Sequence, residues 1–273
     1  MWSANETKHI RWLDEHPSIV SCISASPCGK FIATSGRGGK LTASGGAVGA
    51  LVVWNATSFE TECALASHTF EDVFAVRFCP SGTMLASGDR TDRIILHRVG
   101  DDWPVMREIK PHADVVSGLC FLSCASVTQS PILISSSRDC SLKSIDTTTG
   151  QTLCSFAGHR DLVYAVVASS VHGIFSGSAD RSIIHWNVED GTIVKRLDGA
   201  HDGKGATSVT IFESLLASGA SDGSVRVWTI PELNMVAAFG QAHKGFVYAV
   251  CFHPSGTWLV SGGEDGVIKV WRE

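Results

Sequence analysis

The chain has 273 residues, 44% of them hydrophobic and 18% charged, which is apolar material enough for one large domain or two small ones with a buried core. Its formal net charge of −5, with no local run of lysines or arginines, argues against nucleic-acid binding driven by bulk electrostatics. Nine scattered cysteines, odd in number and without a C-x-x-C pair, argue against a disulfide framework or a zinc site and fit reduced thiols inside a cell.

The first residues, MWSANETKHIRW, are polar and lack the apolar stretch of a secretory signal. No later segment approaches the roughly 18 consecutive apolar residues of a membrane span. Residues 8–13, KHIRWL, read as a short strand. From His16 a run passes through SASPCGKFIATSG and a glycine-rich stretch, SGRGGKLTASGGAVGALVVWN, to Val53-Trp54-Asn55. The glycines invite comparison with a phosphate-binding loop. That loop needs G-x-x-x-x-G-K-[ST] followed by a helix. Here Gly39-Lys40 is followed by Leu41, Thr34 stands where the first glycine belongs, and no helical pattern follows. Residues 36–50 therefore read as an enlarged turn, about nine residues longer than its counterparts, suited to a hairpin flap.

A second run extends from His68 through FCPSGTMLASGDRTDRIILHR, and a third from His112 through SSSRDCSLKSID. Cys120 and Cys124 flank a strand segment of the third and read as core packing. Three further runs align almost without gaps: GHRDLVYAVVASSVHGIFSGSADRSIIHWN, AHDGKGATSVTIFESLLASGASDGSVRVWT and AHKGFVYAVCFHPSGTWLVSGGEDGVIKVW. Each has a histidine, three alternating apolar runs, a Ser-Gly and an Asp turn. Period-two alternation bounded by Gly, Asp and Pro-Ser-Gly turns predicts short β-strands joined in hairpins. The marker histidines His16, His68, His112, His159, His201 and His243 recur every roughly 40 to 50 residues, the period of a four-stranded propeller blade.

The His-to-Asp-to-Trp spacing resembles the WD-repeat β-propeller family over essentially the whole chain. The resemblance implies an all-β fold, a β-propeller of four-stranded antiparallel blades lettered a to d from the inside out. Six copies imply six blades in a single domain spanning 1–273, with a–c strands roughly at 16–55, 68–98, 112–146, 159–187, 201–229 and 243–272. The last copy has no fourth strand downstream, so residues 8–13 are expected to complete it and close the ring.

His159, Ser176, Asp180 and Trp186 recur as His201, Ser218, Asp222, Trp228 and as His243, Ser261, Asp265, Trp271. Ser, His and Asp suggest a hydrolase triad, but catalysis needs one set and a fold device needs many. The family implies a structural tetrad that ties the d–a loop to strands b and c. The third copy keeps His112, Ser135 and Asp139 but has Ile145 for Trp. In the second, His68 and Ser87 are joined by Thr91 at the Asp position and His97 at the Trp position. The first keeps His16 and Trp54 and offers no Asp.

In this family the d–a and b–c loops share a top face where partners dock. The matching strand-a positions are Ile19, Ser21, Phe74, Val115, Ser117, Leu162, Tyr164, Phe246 and Tyr248. The turn positions are Arg90, Arg138, Ala179, Ser221 and Glu264. Aromatics with arginines at a rim suit an interface, and the arginines suit a peptide carrying a carboxylate or phosphate. The expected function is a non-enzymatic scaffold for protein or peptide partners, intracellular, cytoplasmic or nuclear. No cofactor, metal, membrane or small-molecule substrate is expected, and nucleic acid is disfavoured. The alternatives are recognition of ubiquitin, a histone tail or RNA by the propeller face, or a nucleotide-binding enzyme using residues 36–50.

Overall fold

The computed structural model describes residues 19–36, 51–68, 71–122, 131–203 and 205–272. Among these residues every regular element is a β-strand, 23 in all. The strands form six antiparallel sheets of the β-propeller class, five paired in chain order a-b-c-d and the sixth a-b-c among the described residues. The runs read as alternating in the sequence are the strands, because β-branched and aromatic side chains at period two bury one or both faces of a pleated surface.

Two compact units are distinguished. The first comprises residues up to Arg90 together with Ile95–Met106. Blade 1 has strands Val20–Ala25, Phe31–Gly36, Leu51–Asn55 and Thr61–Leu65. Blade 2 has Val73–Phe78, Met84–Asp89, Ile94–Arg98 and Val105–Ile109, its residues 91–94 and 107–109 clustering with the second unit. Ala33, Leu51, Val53 and Leu65 pack against Val76, Phe78 and Leu85. Trp103 closes this seam, edge-on to Phe31 at 5.2 Å and to Phe78 at 6.2 Å.

The second unit comprises Thr91–Ile94 and Arg107–Glu273. Its blade 3 runs Val116–Leu122, Ile132–Ser137, Ser141–Asp146 and Thr152–Ala157, and blade 4 runs Val163–Ser169, Gly173–Ser178, Ile183–Trp186 and Ile193–Leu197. Blade 5 has Ala206–Phe212, Leu215–Ala220, Val225–Thr229 and Met235–Phe239. Blade 6 has Val247–Phe252, Trp258–Gly263 and Ile268–Arg272, three strands among the described residues. Residues 8–13, expected as its fourth strand, lie outside the described residues, as do His16, Cys124 and the insertion 37–50.

Apolar side chains fill each seam within the second unit. Leu142 and Phe156 meet Val166 and Ile174; Phe175 and Ile183 meet Val209 and Leu216; Ala217 and Val225 meet Val247 and Leu259. Fully burying side chains of this size contributes roughly 1.5–3 kcal/mol each.

Two sets of β-bulges interrupt the ladders at fixed places. On the outer edge the c–d pairing slips by one residue, leaving Glu62, Leu153, Val194 and Val236 without a partner. The three apolar members are 55–56% exposed. An outer-edge bulge twists the open strand away from straight pairing with another chain. On the inner side, the a–b pairing of all six blades skips the second residue of strand a: Ser21, Phe74, Ser117, Tyr164, Thr207 and Tyr248.

Candidate functional site

The polar sets expected from the sequence are assembled by the turns on either side of strands a and b. In blade 4, Nδ1 of His159 lies 3.0 Å from Asp180 and Nε2 lies 2.7 Å from Ser176 Oγ, to which Trp186 Nε1 donates at 2.8 Å. Tryptophan only donates and an ionised aspartate only accepts, so the bonds run in one sense: Trp to Ser, Ser to His, His to Asp. Blade 6 repeats this with His243, Asp265, Ser261 and Trp271 at 3.0, 2.8 and 2.9 Å. Blade 3 keeps His112 with Asp139 and Ser135 at 2.9 and 2.8 Å, and Ile145 fills the Trp position as buried packing.

The aspartate also stitches two loops. Its Oδ2 accepts the amide after the histidine, from Ala113, Arg160, Asp202 or Lys244, at 2.9–3.0 Å. Its Oδ1 accepts the amide two residues on, from Ser141, Ser182, Ser224 or Val267, at 2.8–3.1 Å. Burial opposes ionisation of Asp180, yet bonds from His159, Ser182 and the Arg160 amide overcome it and hold the carboxyl well below its usual range. Asp139 is held low in the same way, against burial, by His112, Ser141 and the Ala113 amide. At Asp265 the Lys244 amide and then His243 bring it to about 2.

Three blades depart from the expected sets. In blade 2 the carboxylate comes from Asp89, not from the Thr91 position: its Oδ2 lies 2.8 Å from His68 Nδ1, while Nε2 of His68 lies 2.7 Å from Ser87. Asp89 ends strand b, two residues before Thr91, and reaches the histidine from the end of the strand. His97, in the Trp position, is buried with Nδ1 lacking a hydrogen-bond partner. Burial and then the neighbouring His68 push its pKa down to about 4. In blade 5, His201 Nδ1 bonds Ser224 Oγ at 2.8 Å, and Asp222 stands back at 3.9 Å, acting through Ser224. Burial brings His201 to about 4, against the attraction of Asp222. Ser218 takes the expected bonds from His201 and Trp228 at 2.7 and 2.8 Å. In blade 1, Thr34 replaces the serine and accepts from Trp54 Nε1 at 2.8 Å. Ser182 and Ser141 approach their histidines as Ser224 does, at 3.1 and 3.4 Å. The repeated Asp-x-Ser of DCS, DRS and DGS is the signal that could have revealed this fifth member.

These sets cannot act as triads in place. Ser176, Ser218 and Ser261 are sealed from solvent at 0–1% exposure, and a nucleophile must meet its substrate.

The strand-a and turn positions are brought together by one recurring backbone bond. Arg90 N donates to Asp72 O, Arg138 N to Val115 O, Ala179 N to Leu162 O, Ser221 N to Gly205 O and Glu264 N to Phe246 O, at 2.8–3.2 Å. Blades 2 to 6 thus each present the first turn residue after strand b beside the residue that precedes strand a. Ile19 and Tyr248 are exposed, at 62% and 61%. Phe74, Leu162, Tyr164, Phe246 and Arg138 are half-buried, and Val115 is buried. Arg90 is exposed with Asp72 3.7 Å from its guanidinium. The inner-bulge residues, of which Ser21 and Tyr248 are exposed and the rest half-buried, alternate strictly in type along the chain. Blades 1, 3 and 5 have the hydroxyls Ser21, Ser117 and Thr207; blades 2, 4 and 6 have the aromatics Phe74, Tyr164 and Tyr248. Ser117 Oγ donates to Val163 O and Thr207 Oγ1 to Val247 O, each reaching the next blade. Among the described residues no group of three or more His, Cys, Asp or Glu is placed to hold a metal, and no helix is long and apolar enough to cross a membrane.

The family model described as WD domain, G-beta repeat matches residues 7–42, 60–96, 150–187, 191–229 and 235–272, more than half of the chain. The chain belongs to the WD-repeat family. Strands a to c of blade 3, which lie outside these matches, carry Ile145 at the tryptophan position. The chain is 26% identical to WD repeat-containing protein srw1 of Schizosaccharomyces pombe over 82% of its own length and 40% of that protein. It is 32% identical to Pre-mRNA-processing factor 17 of Mus musculus over 75% of its length and 35% of that protein. With a Guanine nucleotide-binding protein subunit beta of Oryza sativa subsp. indica it shares 25% identity, over 96% of its length and 70% of that protein. It thus spans well under half of the first two of these WD-repeat relatives.

Proposed function

We propose that this WD-repeat chain is a non-enzymatic scaffold that presents the d–a and b–c loop face, with the inner bulge residues, to protein or peptide partners inside a cell. The observation that carries the reading is the repeated pairing of turn and strand-a residues around buried polar sets. The sets hold the loops rigid, and the bulges put aromatic side chains such as Tyr248 at the surface. Rigid presentation of aromatic side chains lowers the ordering cost of association and supplies anchors of the hot-spot type. Relatives named as a pre-mRNA-processing factor and as a subunit of a guanine nucleotide-binding protein are in keeping with a role in a larger assembly.

The test is affinity purification from cells with the intact chain and with Tyr164→Ala/Phe246→Ala. Loss of specific partners with unchanged folding supports the docking face. An unchanged partner list contradicts it.

A further inference from the structure

Blade 6 differs from the other blades of the second unit in the chemistry it offers on this face. Phe246 and Tyr248 stand two residues apart across the bulge, with rings nearly parallel at 18° and centroids 6.1 Å apart. The Phe246 amide donates to Glu264 Oε2 at 3.1 Å, and the Glu264 amide donates back to Phe246 O at 2.8 Å. The carboxylate is thereby fixed beside the aromatic pair. Gly245, at φ +101°, makes room for it, since a Cβ there would collide with Glu264 Oε2. Among the described residues no cationic side chain pairs with Glu264. The other charged groups at hand are Lys244 and Asp265, and the Lys244 amide and His243 are already bonded to Asp265.

We propose that Phe246, Tyr248 and Glu264 form a seat for a positively charged side chain, an arginine or lysine, carried by a partner protein. The assignment rests on the reading of this face as a docking surface. Aromatic faces carry negative potential and attract a cation, and a fixed carboxylate adds a charge-assisted hydrogen bond. An anionic group would meet Glu264 as a like charge. The carboxylate or phosphate partner suggested by Arg90 and Arg138 therefore does not fit blade 6.

The sequence holds only two tyrosines, Tyr164 and Tyr248, so protein labelled with 3-fluorotyrosine gives two fluorine resonances, assigned with Tyr248→Phe. N-acetyl-arginine amide and its neutral analogue N-acetyl-citrulline amide are titrated into the intact chain. The expected result is a saturable shift of the Tyr248 resonance by arginine, with Tyr164 still and citrulline weaker by about tenfold. Glu264→Gln should weaken the arginine response about fivefold or more, the unmoved Tyr164 resonance reporting that the fold is kept. Equal responses to arginine and citrulline, no shift at all, or indifference to Glu264→Gln each overturn the seat. If the seat fails while Phe246→Ala still abolishes partner capture, the docking face stands without the cation.

Discussion

Asp89 and His68 form a buried pair, 2.8 Å apart with both side chains wholly shielded from water. The pair does in blade 2 what a turn aspartate does elsewhere, from a position two residues earlier. Removing Asp89 leaves His68 Nδ1 buried without that acceptor, with the Ser87 contact at Nε2 kept. Asp89→Ala should therefore cost roughly 1–3 kcal/mol in urea unfolding. Thr91→Ala, at the place where spacing puts the aspartate, should cost less than about 0.5 kcal/mol. The reverse order would restore the turn position as the anchor.

Two histidines make the fold sensitive to mild acid. His97 and His201 are buried, with pKa values pushed down to about 4 from 6.5. The unfolded chain takes up their protons near pH 6.5, and the folded chain resists until about pH 4. Stability is intact above pH 6.5 and falls as the pH drops through that window, on the order of 3 kcal/mol for each group. His97→Leu should flatten the slope between pH 6.5 and 4 while leaving stability at pH 7.5 equal or higher, because it also removes the unpartnered Nδ1. An unaltered slope in pH-dependent denaturation would assign the acid sensitivity elsewhere.

Among the described residues Asp180 has a cationic partner, Arg196, that the turn aspartates Asp139, Asp222 and Asp265 lack. Arg196 from strand d donates to Asp180 at 3.0 Å, and also to Asp198 at 2.7 Å and to the Gly158 carbonyl at 2.6 Å. Asp180→Ala should thus destabilise more than Asp265→Ala, the lost Arg196 contact adding about 1 kcal/mol, while Arg196 keeps Asp198 and the Gly158 carbonyl. Equal losses in denaturant melts would show Arg196 to be idle.

The bulged outer residues are expected to tolerate charge. Val194 and Val236 each lie more than half exposed, without a ladder partner. Val194→Lys/Val236→Lys should stay within about 0.5 kcal/mol per site and lower self-association in light scattering at high concentration. A loss of several kcal/mol would mean that these valines are covered in solution.

Much of the fold was legible because blade geometry is written in period-two alternation and in turn residues at regular intervals. His159, His201 and His243 each lie where the spacing places them, with their serines and tryptophans. What escaped was whatever depends on the path of a side chain. Ser87 to Thr91 has the same spacing as Ser176 to Asp180, yet Asp89 reaches the histidine from within strand b. Asp222 has the right spacing, yet hands the contact to Ser224. A bulge is invisible to alternation alone, because the extra residue resets which face each neighbour takes. Tyr164 and Tyr248 could be named as strand-a residues, but their release from the ladder could not. Nor does spacing reveal that Glu264 is pinned to the Phe246 amide over a glycine.

The alternation of hydroxyl and aromatic at the inner bulge has a mechanical consequence. Ser117 ties blade 3 to blade 4 and Thr207 ties blade 5 to blade 6. Between blades 1 and 2 the same service comes from Ser24, which accepts the Phe78 amide at 3.1 Å. Among the described residues no side chain makes such a bond from strand a of blade 4 to strand a of blade 5. Within the second unit the couples are blades 3 with 4 and 5 with 6: pulled or partly digested, that unit should yield first at the joint between blades 4 and 5.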